Sequence, residues 1–237
     1  MKRLSQSFTN IRASLACIAA HSMVFSLVLL LVPSVFLPGA VAQPATHPAV
    51  NAQLLIAARQ NDLEQTKDLL ARGAAVNSRN RLGKTALLLA CEKGNDLLAA
   101  ALMDAGADVN LASLERVTPL MAASYNGNAA LVRRLLAAGA HSEPVDRMHK
   151  PAAVYAAAQG NAAALEALLD SGIDVDARYE HELTLLMWAA GQGHADAARL
   201  LVARKARSDL RDDRGMTAAE IARQAGHPDV AQAVGLR

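Results

Sequence analysis

The hydrophobic pattern of this chain is that of short helices in pairs. In "VTPLMAASYNGNAALVRRLLAAGA", residues 117–140, a nearly unbroken apolar run follows Thr118 and stops at Gly127. Leu131, Val132, Leu135 and Leu136 then recur at the spacing that lines one face of a helix, and Gly139 closes that run. Thr118 is a suitable N-cap, because its hydroxyl can accept from a free N–H of the first turn. Pro119 sits at the first helical position, where a missing donor costs nothing. Gly127 ends the first helix and Asn128 opens the second. The stretch "AHSEPVDRMHK" that follows reads as an extended, turn-rich link.

This pattern returns every 33 residues. Gly94, Gly127, Gly160, Gly193 and Gly226 form one column at that spacing, and Gly73, Gly106, Gly139 and Gly172 another. Thr85, Thr118, Thr184 and Thr217 keep it as well, as do Leu69, Leu102, Leu135, Leu168 and Leu201. Ala57, Ala90, Ala123, Ala156, Ala189 and Ala222 add a column of small residues. A pair of short helices cannot bury its apolar faces alone, whereas stacked pairs share one interior. The expected fold is therefore an all-α repeat solenoid of helix-turn-helix units with projecting hairpin loops, six units counting the caps. Their bounds are about 49–79, 80–112, 113–145, 146–178, 179–211 and 212–237.

Composition fits close packing of small side chains, since 52% of residues are hydrophobic but only 3% are aromatic. The chain ahead of the repeats is different. No charged residue lies between Arg12 and Arg59, and Lys2, Arg3 and Arg12 precede the apolar run "MVFSLVLLLVPSVFLPGAVA". A basic start, an apolar stretch and the small-residue site "AVA" describe a secretory signal peptide over residues 1–42, cleaved between Ala42 and Gln43. Residues 43–48 form a linker and 49–237 the repeat domain. About 20 apolar residues can also span a bilayer, so an uncleaved anchor is the competing reading. The net charge is +2, and removal of the leader leaves 21 basic and 22 acidic residues, which points to no nucleic-acid partner. Cys17 lies in the leader without the flanking pattern of a lipid-anchoring cysteine. Cys91 is then the single thiol of the mature chain, and no intrachain disulfide is possible.

The chemically richest stretch is "TLLMWAAGQGH", residues 184–194. Aligned with the other units it becomes ordinary. Gly193-His194 matches Gly226-His227 and three Gly-Asn pairs, so His194 is expected to cap a helix rather than bind metal, whose ligands must converge on one point. Trp188 shares a column with Leu89, Ala122, Tyr155 and Ile221 and is expected to fill space between units. Cys91 shares one with Ala58, Ser124, Ala157 and Ala190, where small size matters, and is expected to be buried and inert. "RYEHE" and the locally basic "ARKARSDLRDDRG" both fall in turns and read as solvated. No nucleophile elbow, phosphate loop, HExxH or CxxC pair occurs, so no catalytic residue, metal or cofactor is expected.

The stretches "GKTALLLACEKGN", "VTPLMAASYNGN", "TLLMWAAGQGH" and "GMTAAEIARQAGH", with "LLARGAAVN", "LMDAGADVN", "LLAAGAHSE" and "LLDSGIDVD", resemble ankyrin repeats over residues 49–237. Departures from the family pattern carry expectations of their own. Leu88, Met121, Val154, Met187 and Glu220 replace the usual histidine, so its hydrogen bonds between units should be lost and apolar packing should compensate. The fourth unit, "HKPAAVYAAAQGN", lacks the threonine cap, and Lys205 stands where four other units have glycine. The resemblance implies protein binding through hairpin tips and the adjoining face of the first helix. The matching positions are Arg81, Leu82, Lys84, Glu92 and Lys93; Leu114, Glu115, Val117, Tyr125 and Asn126; Arg147, Met148, Lys150 and Gln159; Glu180, His181, Leu183 and Gln192; and Asp213, Arg214 and Met216. Tyr125, Arg147 and His181 are the first choices as anchors, since aromatic and Arg side chains commonly dominate binding energy. Resemblance to exported bacterial ankyrin-repeat proteins implies a periplasmic or secreted protein and a link to peroxide protection, with an immunity role and a scaffold role as variants. An enzyme ranks below all of these.

Overall fold

A computed structural model of the chain describes residues 48–235. The leader, the Ala42–Gln43 cleavage point and most of the linker lie outside the described residues. Twelve α-helices occur among them, two per unit: α1 (Pro48–Gln60) and α2 (Leu63–Ala71), α3 (Ala86–Lys93) and α4 (Asp96–Asp104), α5 (Pro119–Tyr125) and α6 (Ala129–Ala137). They continue with α7 (Ala152–Ala158) and α8 (Ala162–Asp170), α9 (Leu185–Gly191) and α10 (Ala195–Ala203), α11 (Ala218–Gln224) and α12 (Pro228–Gly235). The first helices stack on one another from α1 through α11, and the second helices form a parallel layer from α2 through α12.

Local chemistry sets the helix starts. Thr85, Thr118, Thr184 and Thr217 each accept from the amide three residues on, at 3.2–3.3 Å. Pro151 holds that place in the fourth unit without any side-chain cap. Asp62, Asn95 and Asn128 cap the second helices of the first three units in the same way, at 2.9–3.1 Å. Leu69, Leu102, Leu135, Leu168 and Leu201 are all buried in the shared interior, and full burial of each stabilises by about 1.5–3 kcal/mol. The buried alanines of the inner layer, among them Ala57, Ala90, Ala123, Ala156, Ala189 and Ala222, leave room for helices to approach closely.

The hairpin loops contain no strand among the described residues. Each is closed by one backbone bond, Asn80 to Lys84, Ser113 to Val117, Asp146 to Lys150, Tyr179 to Leu183 and Asp212 to Met216. Asn80, Asp146 and Asp212 also accept two loop amides each through one side-chain oxygen. Consecutive loop tips share one backbone bond: Leu114 N–H to Leu82, Arg147 N–H to Glu115, Asp213 N–H to His181. No such bond joins Glu180 to Met148. There the loop of the fifth unit winds into a short 3₁₀ turn, Glu180–Glu182, with His181 and Glu182 both at positive φ.

Two expectations need correction. His194 occupies the N-cap position of α10, but its ring makes no cap bond. Its Nε2 lies 2.9 Å from the carbonyl oxygen of Ala158, at the end of α7 in the preceding unit. Asn161 behaves alike, donating to the carbonyls of Ser124 and Tyr125 at 2.9 and 2.7 Å. Asn126 donates to Cys91 and Glu92, and Asn128 to Gly94. The last carbonyls of a helix have no partner within it, and at the ends of α3, α5 and α7 the next unit's side chain supplies one. The histidine's own bonds are gone and Leu88, Met121, Val154 and Met187 are buried in its place; what needs correcting is that packing alone compensates, because other bonds between units run from the junction side chains. At the vacated position itself, the sulfurs of Met121 and Met187 accept from Thr118 and Thr184 N–H at 3.4 Å.

All five glycines of the junction column have positive φ, and the bridging side chains add a steric reason at two of them. A Cβ on Gly160 would lie 2.5 Å from His194 Nδ1, and one on Gly127 2.5 Å from Asn161 Oδ1. The side chains that bridge units rest where those Cβ atoms would stand.

Candidate functional site

The loops and the last turns of the inner helices lie side by side in every unit. Arg81, Leu82, Leu114, Glu115, Arg147, Met148, Glu180, His181, Asp213 and Arg214 are exposed at the loop tips. Lys84, Val117, Lys150, Leu183 and Met216, where the loops enter the helices, are half-buried. On the helix ends Lys93, Tyr125, Asn126, Gln159 and Gln192 are exposed and Glu92 is half-buried. Three apolar tips stand well out of the core: Leu82 at 60%, Leu114 at 57% and Met148 at 59% exposure.

Several of these side chains meet. Lys84 Nζ reaches Glu92 Oε1 at 2.7 Å, tying the second loop to the end of α3. Arg147 pairs with Glu115 at 3.2 Å and His181 with Asp213 at 2.9 Å, each across two loops. Such exposed pairs contribute only about 0–1 kcal/mol, so a partner can displace them at little cost. Val117, Tyr125, Asn126 and Glu92 converge with Met121, Ala122 and Tyr155 on an open cleft of about 320 Å³. Tyr125 stands edge-on to Tyr155, with ring centres 5.9 Å apart. Asn126 has its amide nitrogen committed to the carbonyls of Cys91 and Glu92, which leaves its oxygen for a partner.

Tyr155 was not among the positions singled out from the sequence. Its hydroxyl donates to Asp146 Oδ2, and burial together with that carboxylate raises its pKa. Its column also holds Trp188, while the column three residues on shrinks to Ala158 and Gly191; large rings beside small residues were the available signal. Trp188 is half-buried against the core, as expected of a space-filling residue. Lys150 Nζ lies 4.9 Å from its ring centre, a cation–π contact.

Other candidate chemistry is accounted for by packing and pairing. Cys91 is fully buried, and burial, then the charges of Glu92 and Asp96, push its thiol pKa far up. Tyr179 of "RYEHE" is half-buried, and its pKa is pushed up to about 12 by burial and by Asp174. In the basic run Arg204 pairs with Glu166 and Asp170, Arg207 with Asp209, Arg211 with Glu220 and Arg214 with Asp212. Among the described residues no group of three or more His, Cys, Asp and Glu could hold a metal ion, and no helix is long and apolar enough to cross a membrane.

Comparison with known proteins agrees with this geometry. The family model "Ankyrin repeats (3 copies)" matches residues 54–146, 95–179 and 153–234. An ankyrin repeat protein of known crystal structure, EF0377, superposes with a TM-score of 0.70 at 27% identity, covering 78% of this chain and 97% of that one. The mitochondrial disaggregase of Bos taurus is 48% identical over 53 residues, which is 22% of this chain and 8% of the disaggregase. The chain thus spans a small part of that relative. Stacked helix pairs, projecting loops and the family match lead to one conclusion: the chain belongs to the ankyrin-repeat family.

Proposed function

We infer that this chain, as a member of a family of protein-protein interaction modules, works by binding protein. We propose that this chain is an exported module that binds or supports a partner protein in the periplasm, through its loop tips and the inner-helix face. The observation that carries this reading is the exposure of Leu82, Leu114, Tyr125 and Met148 along adjoining loops and helix ends. A purely solvated surface would favour charge at those points. The basic-then-apolar leader supports export, and a role in peroxide protection is the finer form of the proposal.

Crosslinked capture from the periplasm tests it, comparing the native chain with a variant carrying Tyr125→Ala, Arg147→Ala and His181→Ala. The expected result is loss of specific partners; unchanged capture sinks the proposed surface. The mass of the exported chain tests the leader. Loss of residues 1–42 supports a free periplasmic protein, and retention supports a membrane-tethered scaffold.

A further inference from the structure

Among the described residues, the side of α1 that faces the second unit's loop is lined by residues of α1, of that loop and of α3. An open cleft of about 490 Å³ lies there, between α1 and the segment 78–81. Its apolar walls are Ala52, Leu55, Ile56 and Leu89, and Ile56 is 46% exposed. Three arginines, Arg59, Arg79 and Arg81, line it, and no acidic residue does. Arg79 is held in place, its guanidinium donating to the carbonyls of Gly83 and Ala112. Arg59 and Arg81 form no ion pair among the described residues, and both are exposed. The hydroxyl of Ser78, also in the lining, is buried without a hydrogen-bond partner.

We propose that this cleft binds an acidic segment of a partner protein, with an apolar side chain against Leu55, Ile56 and Leu89 and carboxylates on Arg59 and Arg81. Guanidinium groups pair with carboxylates through two parallel hydrogen bonds, and the one-sided charge of the rim rejects a basic segment. The cleft has the volume of an ordinary ligand site, but it is open to solvent. That suits a length of chain anchored by one side chain better than an enclosed small molecule. The cleft is the first-helix end of the loop and inner-helix surface and rests on that reading, but none of Tyr125, Arg147 and His181 lines it, so its test stands apart from the alanine test above.

A displayed library of random linear peptides, selected on the full chain, reads the preference directly. Selected sequences should carry Asp or Glu next to a Leu, Ile or Phe. Binding of those peptides should fall about tenfold or more in the double variant Arg59→Glu, Arg81→Glu, and should weaken as salt is raised. Ile56→Ser should weaken the same peptides without changing the salt dependence. Arg59, Arg81 and Ile56 are all exposed, and an unchanged thermal midpoint confirms that each variant folds. Selection of basic or uncharged peptides, of none at all, or of acidic peptides that bind the double variant equally well overturns the proposal.

Discussion

Lys205 provides a direct measure of what the repeat geometry demands. It ends the fifth unit's second helix at φ +66°, in the turn where Gly73, Gly106, Gly139 and Gly172 stand in the other units. The turn is the same one: Lys205 N–H donates to Val202 and Ala206 N–H to Leu201, as Gly139 donates to Leu136 and Ala140 to Leu135. A Cβ at Gly139 or Gly172 would meet nothing within 4 Å, so sterics with neighbours do not exclude a side chain there. What remains is the left-handed backbone, which costs a residue with a Cβ about 1–2 kcal/mol. Replacing Lys205 by glycine removes that strain but gives the unfolded chain more freedom, offsetting about 0.4–1 kcal/mol. The net gain is about 0.5–1 kcal/mol, which for a domain of this size raises the unfolding midpoint by about 1–4 °C. Thermal unfolding followed by circular dichroism reads this, with Lys205→Ala as the control that discards the charge and keeps the strain. Lys205 takes part in no ion pair among the described residues, so the control should stay within about 0.5 kcal/mol of the native chain. A lower midpoint in Lys205→Gly, or an equal rise in Lys205→Ala, would refute the argument.

Gly160→Ala should cost about 2–3 kcal/mol, since the new methyl displaces His194 from its bond to Ala158 in addition to straining the turn. Gly139→Ala, where only the backbone objects, should cost about 1 kcal/mol, and chemical denaturation of the two variants checks the difference. Cys91 should resist thiol reagents in the native protein and react fully once unfolded, because burial holds it as a neutral thiol; rapid labelling of the folded chain would contradict this. Glu220 has its pKa lowered by the Thr217 amide and then by the Thr217 hydroxyl. A carboxylate lowered in the folded state adds stability that is complete above the usual glutamate range, about pH 4.3, and is lost as pH falls through the lowered value. Protection of the α11 amides, measured relative to their intrinsic exchange rate at each pH, should therefore fall in acid, and Glu220→Gln should flatten that fall.

Most of the architecture was legible because it is periodic. Thr85 or Leu69 taken alone says little, but each gains meaning from counterparts 33 residues away. The cap threonines, the missing cap at Pro151 and the awkward Lys205 turn all followed from local rules that the fold obeys. The direction taken by His194 did not. An N-cap side chain can turn to its own helix or back to the preceding one, and the acceptor on Ala158 is 36 residues away. Asn95 takes the first course and Asn161 the second, while Asn128 takes both, its oxygen on Leu131 and its nitrogen on Gly94. Column membership alone does not separate them. The cleft beside α1 was equally hidden, because its lining comes from α1, the second unit's loop and α3 together. Arg81 was visible as a loop tip, but its company with Arg59 and Ile56 depends on how the first helix meets the second unit.

The bridging side chains give the stack a direction. Each of Asn126, Asn161 and His194 reaches backwards, onto carbonyls already fixed in the unit before it. A chain emerging from its N-terminus thus presents a finished docking edge to these newcomers, and the third, fourth and fifth pairs each bring a donor that locks them. Removing units from the C-terminus leaves these inner-helix locks intact and strands instead the outer side chains that reach forward, Asn77, Asn110 and Asp176, which accept from the amides of Asp108, His141 and Arg207. Removing them from the N-terminus strands a donor at the new border, so the two truncation series should not be mirror images.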